Sequence, residues 1–138
     1  MRNKILVLAA LAVLFVGCES SRERFVKQFS EACQYNPNFD GANADIFCVC
    51  MAEFYASQFS DKELDLMKKF ESSFYQPQSM EEMSARVFLK EKMANLEYAL
   101  DKGGDKRVVR AFAKYIAQCG KAKGLVELTE EKVLRIIE

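Results

Sequence analysis

The chain has 138 residues, half of them apolar, and its 20 Lys and Arg balance 20 Asp and Glu. That is enough for one domain with a real core, and too apolar for a disordered chain. There is no His and no Trp. Missing His removes the usual general base, the Ser-His and Cys-His nucleophile pairs and the commonest metal ligand, so neither an enzyme nor a cofactor is expected.

Arg2 and Lys4 precede twelve apolar residues, Ile5 to Val16. The run is short for a membrane span and right for the apolar centre of a signal peptide. It ends Phe15-Val16-Gly17-Cys18. This resembles the lipobox of bacterial lipoproteins, a small residue before a cysteine that becomes the mature N-terminus; Phe15 stands where the family usually has Leu. The resemblance covers the first eighteen residues. It implies a signal peptide over 1–17 and lipidation of Cys18. Each buried methylene of the acyl chains would add about 0.8 kcal/mol to membrane anchoring. Glu19 replaces the Asp that the family uses for inner-membrane retention, which implies the outer membrane, facing the periplasm. A short linker over 18–21 then leads into a single helical domain over 22–138.

Four cysteines remain: Cys33, Cys48, Cys50 and Cys119. In an exported domain they read as two disulfides, with three possible pairings. Ser20-Ser21-Arg22-Glu23 has the spacing of a capping box and opens a first helix carrying Phe25, Phe29 and Cys33 on one face. Asn36-Pro37-Asn38 ends it. The second helix, about Asp45 to Phe59, is apolar nearly all round, the pattern of a buried helix. Asn43 is placed to cap it. Only Glu53 and Ser57 form a polar strip. Cys48 and Cys50 point roughly 160° to 200° apart on such a helix, so each should reach a different neighbour. Cys33–Cys48 with Cys50–Cys119, or Cys33–Cys50 with Cys48–Cys119, remain. The positions of Cys33 and Cys48, each about one turn from the connecting loop, favour the first.

Ser60 to Glu63 is a second capping box, with Phe59 and Leu64 as a hydrophobic staple. Leu64, Met67, Phe70 and Phe74 continue that helix, and Pro77 closes it. Ser79 to Glu82 is a third box. The helix it opens runs to Lys102, where Gly103-Gly104 stops it. It carries two apolar stripes: Met80, Met83, Val87, Ala94 and Tyr98, and opposite them Leu89, Met93, Leu96 and Leu100. Either the helix is sandwiched in the core, or one stripe serves a partner or a second copy. The methionines suit an adaptable contact.

A fifth helix from Asp105 to Gly120 buries Val108, Val109, Phe112, Ile116 and Cys119. Its other face is basic: Lys106, Arg107, Arg110 and Lys114. Between residues 102 and 123 stand seven Lys or Arg and one acid; between 37 and 82, nine acids and three bases. The basic face could be plainly solvated, complement the acidic half internally, touch anionic lipid head groups, or dock an acidic protein. Thr129 caps a last helix. Its Val133, Leu134, Ile136 and Ile137 should cover an open edge of the bundle.

The fold expected is all-α, a small bundle of five to six helices stapled by two disulfides. Cys-x-Cys lacks the spacing of structural zinc sites, so no metal is expected. No Cys-x-x-Cys with a βαβ pattern suggests redox work. Glu53 has no second carboxylate to pair with for catalysis. The function expected is a non-enzymatic binding or scaffolding lipoprotein on the periplasmic side of an envelope membrane. Its partner would be a protein, met through Lys106, Arg107, Arg110 and Lys114 or through Met80, Met83 and Val87; nucleic acid is not expected. The alternative is a periplasmic inhibitor of a toxin or hydrolase, as in the small exported immunity proteins that this chain resembles in size and cysteine content.

Overall fold

The computed structural model describes residues 19–34, 43–71 and 75–137. The apolar run, the lipobox with Cys18, the turn residues Asn36-Pro37-Asn38 and Phe74 lie outside the described residues. Six α-helices follow in order: α1 (Ser21–Gln34), α2 (Ala44–Ser57), α3 (Asp61–Glu71), α4 (Met80–Leu100), α5 (Lys106–Ala122) and α6 (Glu130–Ile137). A 3₁₀ turn, Asp101–Gly103, extends α4. No strand occurs among the described residues.

Local chemistry sets most helix starts. Ser20 Oγ accepts from the Glu23 N–H at 3.1 Å and its own N–H donates to Glu23 Oε2 at 3.4 Å. Ser60 and Glu63 make the same reciprocal pair, at 3.1 and 2.9 Å. The third box differs. Ser79 Oγ accepts from Glu82 N–H, but the Glu82 carboxylate takes the N–H of Gln78, one residue before the cap. Thr129 Oγ1 accepts from the Lys132 N–H. Asn43 makes no side-chain cap bond, contrary to expectation; α2 is held by its surroundings. At the far end of α4, Gly103 takes a left-handed conformation, φ 66°. That conformation is why a glycine ends the helix there.

The core forms around α2. Phe47, Cys48, Cys50, Ala52, Phe54, Tyr55 and Ala56 are all buried. The α2 helix packs between α1 and α5, and α6 lies on α5. Both expected links exist: Cys33–Cys48 joins α1 to α2, and Cys50–Cys119 joins α2 to α5. Cys50 is fully buried; Cys119 is half-buried at the core's edge. Phe54 sits at the centre, edge-on to Phe112 with ring centroids 5.0 Å apart, and to Tyr115 at 5.7 Å. In α6, Val133 is fully buried and Leu134 and Ile137 half-buried, whereas Ile136 faces solvent, so only three of the four residues expected over the edge cover it. An eight-residue helix gives its narrow apolar stripe to one neighbour, and Ile136 falls outside it.

The α3–α4 pair builds a smaller cluster on Phe59, Leu64 and Leu89, bridged to the main core by Phe25, Met93 and Leu96. Arg22 fastens the junction. Its guanidinium donates to the carbonyls of Ala56 at 2.7 Å and Phe59 at 3.0 Å, and to Asp61 Oδ1 at 2.9 Å. It thereby adds a donor to the Ala56 carbonyl, which also accepts from the Phe59 N–H at 3.2 Å, and holds the Phe59 carbonyl just beyond α2. Lys92 ties α4 to the start of α3 through Glu63 at 2.9 Å, its ammonium lying 4.8 Å over the Phe59 ring.

Candidate binding surfaces

Helix α5 presents one face inward and a cationic face outward. Asp105 opens it, its carboxylate accepting from the Arg107 N–H at 2.9 Å. Phe112, Ala113, Ile116 and Gly120 are buried. At 100° per residue, Lys106, Arg107, Arg110, Lys114 and Lys121 fall within a sector of about 100° on the opposite side. All five are exposed. Arg107 comes within 3.9 Å of Asp105 with its side chain 94% exposed, and Lys106, Arg110, Lys114 and Lys121 enter no ion pair among the described residues. Internal complementarity with the acidic half therefore does not account for the stripe. Lys123, beyond it, does find an acid: its ammonium is 3.3 Å from Glu53 Oε1. Glu53 leaves the apolar body of α2 to meet that partner. Its other oxygen rests 3.2 Å from Cys119 Sγ, a disulfide sulfur with no proton to give. Burial, and then the Glu53 charge, push the Tyr115 hydroxyl above its ordinary range.

Helix α4 is not sandwiched. Its inner stripe reaches the core, with Leu89 and Leu100 buried and Met93 and Leu96 half-buried. Its outer stripe is open: Met80 is 77% exposed, Met83 50%, Val87 55% and Tyr98 75%, with Phe88 beside them at 55%. Each of the five is at least half exposed. The sequence could not settle this, because both stripes are equally apolar and only tertiary packing decides which one is covered.

Between α3 and α4 lies an open groove of about 310 Å³. Its floor is Met67 and Phe70 from α3, with Leu89 and Met93 from α4; its rim carries Glu71, Arg86, Lys90 and Glu97. None of the four rim charges enters an ion pair among the described residues. Glu82 would be the i,i+4 partner of Arg86. It is instead held by Lys69 at 2.7 Å, by the Tyr75 hydroxyl and by Gln78 N–H, which together draw its carboxyl down to about 2. The Glu97 charge adds to burial in pushing the Tyr55 hydroxyl up to about 12.

No protein-family model, no curated protein and no solved structure matches the chain.

The sequence-derived site residues thus separate into distinct places. The four cysteines are consumed pairwise in structural bonds. Among the described residues no group of His, Cys, Asp and Glu is placed to hold a metal ion. Lys106, Arg107, Arg110 and Lys114 form one exposed row on α5; Met80, Met83 and Val87 form another on α4. The groove was missed, since Met67, Phe70, Leu89 and Met93 all read as core. A signal was nonetheless present. Arg86 and Lys90 stand four apart beside the inner stripe of α4, and the one acid at helical spacing, Glu82, also opens the helix as a cap.

Proposed function

We propose that the chain is a non-enzymatic binding or scaffolding lipoprotein of a bacterial envelope, anchored through Cys18 in the outer membrane and facing the periplasm. The observation that carries this reading is the cationic stripe of α5. Five side chains over sixteen residues make a row roughly 22 Å long at 1.5 Å per residue. They are exposed, almost free of acids, and mounted on a helix cross-linked to the buried α2. A row held on a stiff backing needs no ordering of its backbone on binding, so the cost falls on the side chains alone. Its electrostatic complement is an acidic surface.

An acidic protein fits better than a bilayer. The positions interleaved with the cations are Ala111, Ala117 and Gln118, so the face lacks the bulky apolar residues by which interfacial helices insert. Anionic lipid contact through residues 102–123 is the competing outcome. The test is in-cell cross-linking of the full chain, followed by identification of the captured protein. Combined reversal of Lys106, Arg107, Arg110 and Lys114 to Glu should abolish capture while leaving helicity and both disulfides intact. Undiminished capture by that variant would refute the role of the stripe. Capture of nothing, with binding to anionic vesicles that the reversal removes, would assign the stripe to lipid. A captured toxin or hydrolase would turn the reading to an inhibitor.

A further inference from the structure

The outer stripe of α4 is open, and the charges set in it select what can cover it. At 100° per residue, Met80, Met83, Val87, Ala94 and Tyr98 lie within roughly 40° of one line along the helix. All five are exposed. At 1.5 Å per residue the line is about 27 Å long. Only two charges fall within roughly 60° of it, Lys90 and Glu91, about 50° to one side and to the other. Both stand next to the midpoint of the stripe, and both are exposed. Neither enters an ion pair among the described residues. Their own helix gives them no opposite charge three or four residues away. Lys90 has Arg86, Val87, Met93 and Ala94 at those places, and Glu91 has Val87, Phe88, Ala94 and Asn95.

Lipid tails laid on this face would take both charges out of water with no partner, and so would an unrelated apolar helix. A covering surface must therefore bring an anion to Lys90 and a cation to Glu91, side by side at the middle of an apolar stripe. The face itself carries that pattern. When two copies pair about a two-fold axis at the middle of the stripe, the contact is made of the same patch twice, and Lys90 of each copy meets Glu91 of the other. This holds whether the two helices run parallel or antiparallel, because the two charges sit at almost one height on opposite sides of the line. We propose that the outer face of α4 is a homodimer contact, its five apolar side chains packed on those of a second copy around two reciprocal Lys90–Glu91 ion pairs. A single helix pair is a small interface, so association should be micromolar. The methionines suit such a seam, since their side chains adapt to the opposing surface.

The experiment is sedimentation equilibrium of the full chain in density-matched detergent micelles. Wild type should reach the mass of a dimer in the micromolar range. Glu91→Lys places four cations at the centre of the contact, and Lys90→Glu places four anions there. Each variant alone should associate roughly tenfold or more weakly than wild type. Both side chains are exposed in the single chain, so neither change should disturb the fold, checked by an unchanged disulfide map and melting curve. An equimolar mixture of the two variants should recover dimer, because every central pair is then again of opposite sign. The exchange Lys90→Glu with Glu91→Lys in one chain should recover it too. Wild type that stays monomeric at the highest concentration would leave the face to some other partner and overturn the proposal. Association that neither reversal weakens would reflect shared micelles or another surface, and would overturn it as well. So would weakening by each reversal without recovery in the mixture. None of these variants alters the cations of α5, whose role the combined charge reversal tests separately.

Discussion

The two disulfides should differ in what they contribute, and the difference follows from where they sit in the chain. Cys33–Cys48 spans 15 residues and Cys50–Cys119 spans 69. In the chain-entropy model the shorter loop stabilises by about 3 kcal/mol and the longer by about 4.4 kcal/mol. Each bond has one fully buried sulfur, from Cys48 and from Cys50, so the packing lost on replacing each pair by Ala is similar and largely cancels in the comparison. The two loops do not overlap, because the first closes at Cys48 before the second opens at Cys50. Their losses should therefore add to about 7 kcal/mol in the quadruple variant, comparable with the whole stability of an ordinary domain. Urea unfolding of the exported domain, followed by far-ultraviolet circular dichroism, measures this. Cys50→Ala with Cys119→Ala should lower stability by roughly 1 kcal/mol more than Cys33→Ala with Cys48→Ala, and the quadruple variant should be at the edge of folding. An equal or larger loss from the short loop would refute loop closure as the main source of stabilisation. It would place that stabilisation in native contacts of the α1–α2 hairpin.

Arg22→Lys should cost about 1–2 kcal/mol in the same assay, since an ammonium cannot reach the carbonyls of Ala56 and Phe59 and the carboxylate of Asp61 together; a neutral outcome would show that water serves those carbonyls equally well. Phe54→Ala should cost about 3–5 kcal/mol, because Phe54 is buried against Phe112 and Tyr115 at the meeting of α2 and α5; a loss below about 1 kcal/mol would place the core elsewhere. The Glu82 carboxyl is drawn down to about 2 from an ordinary 4.5 by Lys69, Tyr75 and Gln78. A carboxyl whose folded value is depressed stabilises above its unfolded value, and that contribution is lost as pH falls through the folded value. Stability should thus decline between about 4.5 and about 2, and Glu82→Gln should flatten that decline; an identical acid limb in wild type and variant would refute the clamp.

Much of this fold is written in short-range chemistry. A Ser or Thr with a free N–H three residues on defines a helix start wherever it occurs, and Ser20, Ser60, Ser79 and Thr129 all serve that way. The opposed directions of Cys48 and Cys50 on a helix removed one of the three disulfide pairings, and the axial positions of Cys33 and Cys48 beside the connecting loop favoured the observed one of the two that remained. Asn43 shows the limit of such reasoning: it has the right residue type and place, yet its side chain makes no cap bond, because α2 is fixed by burial on several sides and by two cross-links. The outer stripe of α4 and the groove lay beyond the sequence for a different reason. Helix α3 has 11 residues and α4 has 21, about 16 Å against about 31 Å. The shorter helix cannot cover the whole inner side of the longer one, and what it leaves open there depends on crossing geometry that no local pattern encodes; the outer stripe, turned away from α3, is open whatever the length of α3.

The same mismatch divides the molecule into a stiff half and a looser one. Helices α1, α2 and α5 share the main core and both cross-links. The α3–α4 pair has a cluster of only three buried residues, Phe59, Leu64 and Leu89, and its tie through Lys69 and Glu82 lies near solvent. Local opening follows the density of buried apolar contact, so α3 and α4 should open first. Hydrogen exchange of the native protein should protect the amides of α2 and α5 most, with those of α3 exchanging through openings of distinctly lower free energy. Equal protection across all five long helices would refute this division and make the bundle one cooperative unit. If the division holds, the two candidate surfaces differ in kind. The cationic stripe of α5 rides on the part that does not yield, which suits a fixed pattern of charge. The groove between α3 and α4 lies in the part that can open.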